Sequence, residues 1–290
     1  MQLQKQLKKQ QPLKKKFTHR YLRVFSRHPS HRVIRNKVLL PVLALLRLGS
    51  TTKGNAKYQV EINSVEGVKN SSNKLLMKQC FTRDNVKTAD WYKYANGFFW
   101  LNGGASGAEK KLDELPYPII AKSLYGSRGR GNSKLDTKEA LETWMKGKTL
   151  SNYIFEKFYN YNKEYRLHIT EDGCFYTCRK VLKKEFKDLP NSWQRHDNNC
   201  SWLLENNTEF DKPTNWNEIV EHSVKALKSV GLDIGAVDLR VQNNTTEKNK
   251  KREEIDFIVC ETSSAPSFGD ITAQKYSDEL PKIVKRKLNK

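Results

Sequence analysis

Residues 118–131, Pro-Ile-Ile-Ala-Lys-Ser-Leu-Tyr-Gly-Ser-Arg-Gly-Arg-Gly, carry an apolar, β-prone run into a lysine and directly on into a glycine loop. Gly126, Gly129 and Gly131 let the backbone approach a polyanion and turn successive N–H groups toward it. The strand presents Lys122 as a fixed point charge beside them, with Arg128 and Arg130 between the glycines. The stretch lacks the closing Gly-Lys-Ser/Thr of a Walker loop and the Gly-x-Gly-x-x-Gly that opens a dinucleotide-fold helix. On its own residues it reads equally as a basic hairpin tip.

What surrounds it narrows the choice. A chain of 290 residues, 37% hydrophobic and 10% aromatic, can bury a core and supports two or three subdomains, which excludes a disordered protein. The formal charge of +21 points toward nucleic acid. Its distribution points elsewhere: residues 1–60 hold 15 Lys and Arg and no acid, leaving 38 basic against 32 acidic residues over 61–290. Residues 1–36, with Gln and Lys crowding the start and no periodic apolar face, are expected to be a disordered basic leader or an arm that touches nucleic acid. An acid-free, Arg-bearing start resembles a transit segment, but the Gln/Lys-rich opening with little Ser argues against one. Val38 to Leu46, interrupted by Pro41, is too short to span a bilayer and is expected to be a buried first strand. Five cysteines without metal spacing imply a reducing compartment. Cys174 and Cys178 fall in a strand, where period-two geometry predicts that both point to one face as small core residues.

The rest of the chain alternates. Tyr58–Asn63 reads as a second strand, and Ser71 or Ser72 can cap a helix that begins at Asn73-Lys74. Asp136 with Glu139 predicts a helix start after the glycine loop, with Leu141, Trp144 and Met145 inward and Gly147 as its stop. Beyond Asn152 the pattern is mostly strand, apart from a helix over 215–230 and a basic carboxyl-terminal helix interrupted near Pro281. Four units follow: a leader over 1–36, an α/β subdomain over 37–115, a small glycine-loop lid over 116–151, and a mainly antiparallel subdomain over 152–290. The fold class is α/β (α+β). In Ala236-Val237-Asp238-Leu239-Arg240, Asp238 and Arg240 share one strand face, and Glu261 closes the apolar strand Phe257–Cys260. Two carboxylates on neighbouring strands suit magnesium, which takes hard oxygen ligands together with water and phosphate oxygens. They read alternatively as exposed strand ends paired to Lys or Arg.

A strand lysine before a glycine hairpin, an apolar strand with a carboxylate (Ile154 to Phe158), a Glu-Tyr-Arg strand, a Val-Asp-Leu strand and Cys-Glu-Thr-Ser-Ser-Ala-Pro, in that order, resemble the ATP-grasp superfamily. The nearest branch is the carboxylate-amine ligases that add amino acids to proteins or peptides, together with the ATP-grasp proteins of tailed bacteriophages. The likeness covers roughly residues 38–280 and rests on order and spacing. It implies an ATP-grasp fold with the nucleotide between the last two subdomains. Lys122 would meet the phosphates, with Gly126, Ser127, Gly129 and Gly131 as a lid. Glu156, Lys157 and Phe158 would form the adenine and ribose hinge, with Glu164 beside them, and Arg166, Arg179, Lys180 and Arg240 would face the phosphates and the acyl intermediate. Asp238, Glu261 and Ser263 would hold one or two magnesium ions, although the family usually has Asn where Ser263 stands. Arg195 and Asn199 lie where related ligases place substrate contacts, and Asn73-Lys74 resembles the pair that opens the helix before the lid.

The implied reaction is ATP-dependent activation of a carboxylate as an acyl phosphate that an amine then displaces, in a cytoplasmic protein with no membrane association. Neither substrate is legible, a protein or peptide being among the candidates. The alternatives are a basic phage or nucleoid-associated nucleic-acid-binding protein, an ATP-grasp phosphotransferase, and an inactive scaffold. No Ser-His-Asp or Cys-His nucleophile is evident, and His168 reads as a packed core residue.

Overall fold

The computed structural model describes residues 21–104, 108–126, 129–190, 192–195, 198–243 and 255–289. Its strands form three sheets. The first is parallel: β1 (Leu22–Ser26), β2 (Ala44–Leu48) and β3 (Val60–Ile62), followed by α1 (Val65–Ser72) and α2 (Lys74–Arg83). The Ser64 side chain caps α1, and Asn73 caps α2 by accepting from the N–H groups of Leu75 and Leu76. The second sheet draws on β4 (Trp91–Ala95), β5 (Phe98–Leu101), β6 (Glu109–Lys110), β7 (Ile119–Ser123), β8 (Asn132–Leu135) and β9 (Tyr153–Lys157), in the order β6-β5-β4-β9-β7-β8, with α3 (Lys138–Met145) against it. The third is antiparallel, in the order β12-β11-β10-β13-β14. It holds β10 (Lys163–Thr170), β11 (Gly173–Leu182), β12 (Cys200–Leu204), β13 (Ile234–Asn243) and β14 (Ile255–Ser263), with α4 (Trp216–Ser229) before β13 and α5 (Asp270–Leu288) at the end.

Alternation along β10 decides how the third sheet is used. Tyr165, Leu167 and Ile169 enter an apolar core with Phe81 of α2, Ile219 and Leu227 of α4, and Val237 and Leu239 of β13. The residues that alternate with them, Glu164, Arg166 and His168, project from the other face. Helix α1 reaches this core by close backbone contact, since a Cβ at Gly67 would lie 2.2 Å from the Gly231 carbonyl oxygen. Asn63 joins the first sheet to β13. Its amide donates to the carbonyls of Arg47 and Ile234 and accepts from the N–H groups of Asp233 and Ile234.

Several expectations are corrected. The fold begins earlier than residue 37, because Leu22 and Ile34 are fully buried against Tyr276, Leu280 and Ile283 of α5. That apolar surface lies some 250 residues away, so no local period in the leader announces it. Residues 1–20 of the expected leader lie outside the described residues. The first strand proposed over Val38–Leu46 becomes β2, beyond Pro41, with Leu39 left 74% exposed. The sheet that carries the glycine hairpin is larger than residues 116–151, because β9 pairs on one side with β7 and on the other with Trp91 and Tyr92 of β4. Cys174 and Cys178 face opposite ways. A register shift opposite His168 and Ile169 turns Cys174 toward the core while Cys178 stays on the other face. Helix α5 runs through Pro281 without a break. No helix among the described residues is long and apolar enough to cross a membrane.

Because Ile34 is fully buried, Ile34→Ala is expected to lower unfolding free energy by about 2–5 kcal/mol in a urea titration. A change under about 0.5 kcal/mol would return this segment to a solvated leader.

Candidate active site

A cleft separates the β7–β8 hairpin from the charged face of the third sheet. On the hairpin side, Lys122 is the penultimate residue of β7 and is opposite Asn132. The loop after it is tight. A Cβ at Gly126 would lie 2.4 Å from the Arg130 carbonyl oxygen, and the Lys74 ammonium donates to the Gly126 carbonyl, tying α2 to the loop. The Lys122 ammonium bonds Glu156 Oε2 at 2.6 Å, while Lys78 of α2 stands 3.4 Å from the other carboxylate oxygen. Burial would raise the Glu156 carboxyl pKa, but the charges of Lys122 and Lys78 win and bring it down to about 2. The buried Lys78 ammonium shifts downward through desolvation, against the pull of Glu156.

Across the cleft, Arg166 grips Asp238 with two hydrogen bonds of 2.7 and 2.8 Å. Lys180 donates to Glu164 at 2.7 Å and stands 3.6 Å from Asp238, and Arg240 reaches Glu164 at 3.4 Å. Strand register produces these pairs: Arg166 is opposite Asp238, and Glu164 is opposite Lys180 on one side and Arg240 on the other. Desolvation works against both carboxylates, yet Arg166 and Lys180 hold Asp238, and Lys180 and Arg240 hold Glu164, below the ordinary carboxylate range. Aromatic rings support the cations from the side, Trp202 at 5.0 Å from Arg166 and 5.2 Å from Lys180, Tyr161 at 4.1 Å from Arg240 and 4.7 Å from Arg195. Lys74, Lys122, Arg166, Lys180, Arg195 and Arg240 thus line the cleft against three carboxylates, Glu164, Asp238 and Glu261. The excess of positive charge suits a polyanion.

Glu261 owes its aim to a bulge. It is opposite Asp238, but Leu239 is opposite Val259, so Cys260 is the extra residue and both Cys260 and Glu261 line the cleft. Among the described residues the Glu261 side chain takes part in no hydrogen bond or close ion pair, although its charge acts on Arg166, so a carboxylate stands beside Asp238 for a cation that arrives with a ligand. No cluster of three or more His, Cys, Asp or Glu side chains among the described residues would hold a metal unaided. Two carboxylates completed by phosphate oxygens and water are the set that magnesium takes at nucleotide sites, so the residues fit that ion.

The structure brings together Lys122, Gly126, Gly129, Glu164, Arg166, Lys180, Asp238, Arg240 and Glu261, along with Arg195. Glu156 lies beneath them as the buried partner of Lys122. Ser127 lies outside the described residues. Arg179 is corrected: neighbouring residues of a strand point oppositely, and its guanidinium goes to the carbonyls of Glu209 and Phe210 on the far face. Ser263 is corrected as well, since its hydroxyl accepts from the Ala265 N–H and it does not line the cleft. Lys157 is exposed, Phe158 packs with Lys134 and Trp193, and Gly131 closes the hairpin to Ser123 without lining the cleft. Asn199 donates to the Gln194 carbonyl and so supports the loop that brings Gln194 and Arg195 inward. Sequence reasoning missed Lys74 and Lys78 as site residues, although the Asn73-Lys74 pair had marked that helix start. Their signal was one helical face carrying both lysines.

No protein-family profile matches the chain. Its fold matches N5-carboxyaminoimidazole synthetase of Staphylococcus aureus solved with ADP, with a TM-score of 0.52 at 15% identity over 77% of this chain and 54% of that one. Biotin carboxylase of Campylobacter jejuni, solved with an ATP analogue, gives 0.52 at 16% identity over 82% and 54%. The ATP-grasp ligase PsnB with a minimal precursor gives 0.51 at 14% over 77% and 65%. The chain has the ATP-grasp fold. In sequence, formate-dependent phosphoribosylglycinamide formyltransferases from two Prochlorococcus marinus strains are 31% identical over 102 residues, 32% of this chain. The chain spans about a quarter, 24%, of the length of those curated relatives. The expected likeness to phage ATP-grasp proteins gains no support from these matches. In the ATP-grasp frame, the six-stranded sheet with the hairpin and the five-stranded sheet, both antiparallel, supply the two walls of the cleft.

Glu156 joins two lysines in a buried site, so Glu156→Gln is expected to cost about 3–5 kcal/mol of stability at pH 7. Its folded pKa lies below the ordinary value of 4.5, so the carboxylate's contribution is complete above about pH 4.5 and lost as pH falls toward 2. Urea titrations of wild type and variant across that window should converge at the acid end. Parallel pH profiles would contradict the assignment.

Proposed function

We propose that this protein is an ATP-dependent carboxylate-amine ligase that works through an acyl phosphate. The observation that carries the reading is the convergence of six cations from both walls on a cleft beneath a glycine hairpin. A triphosphate satisfies that charge, and a carboxylate activated by it would lie beside Arg166 and Arg240.

In the first step a carboxylate oxygen attacks the γ-phosphorus, the bond from that phosphorus to the β,γ-bridging oxygen breaks, and ADP leaves. In the second, an amine attacks the acyl carbon, the bond from that carbon to the phosphate oxygen breaks, and inorganic phosphate leaves as the amine gives up a proton. Lys122 and the glycine hairpin orient the phosphates. Lys180, Arg166 and Arg240 offset the charge that spreads over the transferring group. Magnesium bound at Asp238 and Glu261 would neutralise further phosphate charge. Closure of the hairpin keeps water from the acyl phosphate. The carboxylate and amine are small molecules or groups on a protein or peptide, and the basic amino end adds nucleic acid as a candidate partner.

The test is ADP release with magnesium and ATP over a panel of carboxylic acids, with hydroxylamine as the amine so that an acyl phosphate is trapped as a hydroxamate. Lys122→Ala and Glu261→Gln are each expected to cut ADP release by about 10²–10³-fold. Folding, followed by far-UV circular dichroism, should persist in both. Turnover equal to wild type in both variants overturns the reading, and ADP release without a hydroxamate assigns a phosphotransferase instead.

A further inference from the structure

A second cavity, of about 510 Å³, opens off the cleft, and Arg166 and Ser267 line both spaces. Its volume falls within the roughly 300–1,000 Å³ usual for small-molecule sites. The floor is His168 of β10 with Tyr176 and Cys178 of β11, on the face of the sheet that also carries Arg166. Trp202 and Leu204 of β12 form one wall, and Ile271 and Thr272 in the first turn of α5 form the other.

The chemistry of this lining differs from that of the cleft. Burial, helped by the nearby Arg166 charge, lowers the His168 pKa to about 3, so the ring is neutral and bonds the Tyr276 hydroxyl. Burial likewise pushes the Cys178 thiol up to about 11 and raises the Tyr176 phenol, leaving both uncharged at neutral pH. Charge is confined to the two ends. Arg166 stands at the junction with the cleft, and Asp270 is exposed at the α5 end. An apolar body finds ring and aliphatic surface here, with Trp202 as the largest aromatic face, whereas a charged body between the two ends would lose its water without gaining an oppositely charged side chain. A second carboxylate directed away from Arg166 would meet the Asp270 carboxylate, whose like charge offsets the pull of the uncapped first turn of α5.

We propose that this cavity receives the body of the carboxylate substrate and selects monocarboxylic acids with an apolar or aromatic body, the carboxylate held at Arg166 facing the phosphates. The inference rests on the ligase reading for its reaction, and on the lining of the cavity for its selectivity. The second part is testable without turnover.

Isothermal titration of the full chain with 3-phenylpropionate and with succinate separates the two. We expect 3-phenylpropionate to bind at least tenfold more tightly. Ile271 is 52% exposed, so Ile271→Trp should fold while filling the open side of the cavity. It should weaken 3-phenylpropionate at least tenfold and leave magnesium-ATP affinity within twofold. Leu204→Trp repeats the test from the opposite wall. Succinate binding as tightly as 3-phenylpropionate overturns the proposal, as does unchanged 3-phenylpropionate affinity in both variants. The hydroxylamine assay keeps the two readings apart. If 3-phenylpropionate binds as expected and no acid drives ADP release, the ligase reading fails and the cavity's selectivity stands. If succinate gives a hydroxamate and 3-phenylpropionate gives none, the ligase reading stands and the cavity assignment fails.

Discussion

Strand β10 cannot bury one face without presenting the other. Tyr165, Leu167 and Ile169 are fully buried in the core under α4, and that commitment fixes Glu164, Arg166 and His168 on the opposite face. Its central place, between β11 and β13, then sets the partners: Lys180 and Cys178 from one side, Asp238 and Arg240 from the other. The charged residues are kept out of water by the hairpin sheet and must neutralise one another while no ligand is present. The site's electrostatics therefore follow from packing on the far side of the same sheet. A change of one residue in register would exchange core and site together.

The ion pairs explain why so much charge can gather in one place. Glu156 holds Lys122 and Lys78, Glu164 holds Lys180 and Arg240, and Asp238 holds Arg166. Each carboxylate occupies cations that a polyanion would otherwise engage, so binding exchanges one set of partners for another. Preorganised positive charge of this kind costs little to realign when negative charge arrives.

The sequence was most legible where a local pattern carried the signal. Period two on 236–240 placed Asp238 and Arg240 on one face, and the glycines after Lys122 marked the hairpin. What failed were features set by distant contacts or by irregular pairing. The amino-terminal segment around Leu22 and Ile34 owes its order to α5 at the other end of the chain. The register shift in β11 separated Cys174 from Cys178, and the bulge in β14 brought Cys260 to the cleft, because a bulge resets the parity on which side-chain direction is read. Arg179 was grouped with Lys180 as a basic pair, although alternation alone sends the two to opposite faces. The ATP-grasp fold itself was carried by the order of the motifs, since 14–16% identity to the solved structures leaves little else in common.

In the proposed ligase, the cleft between the hairpin sheet and the five-stranded sheet is the nucleotide site. A crystal structure of the full chain with magnesium and a non-hydrolysable ATP analogue tests it most directly. The triphosphate is expected between Lys122 and Arg240, covered by the loop that holds Gly126 and Gly129, with metal density against Asp238 and Glu261. An analogue bound elsewhere, with Lys122 still paired to Glu156 and the cleft free of phosphate density, would contradict it.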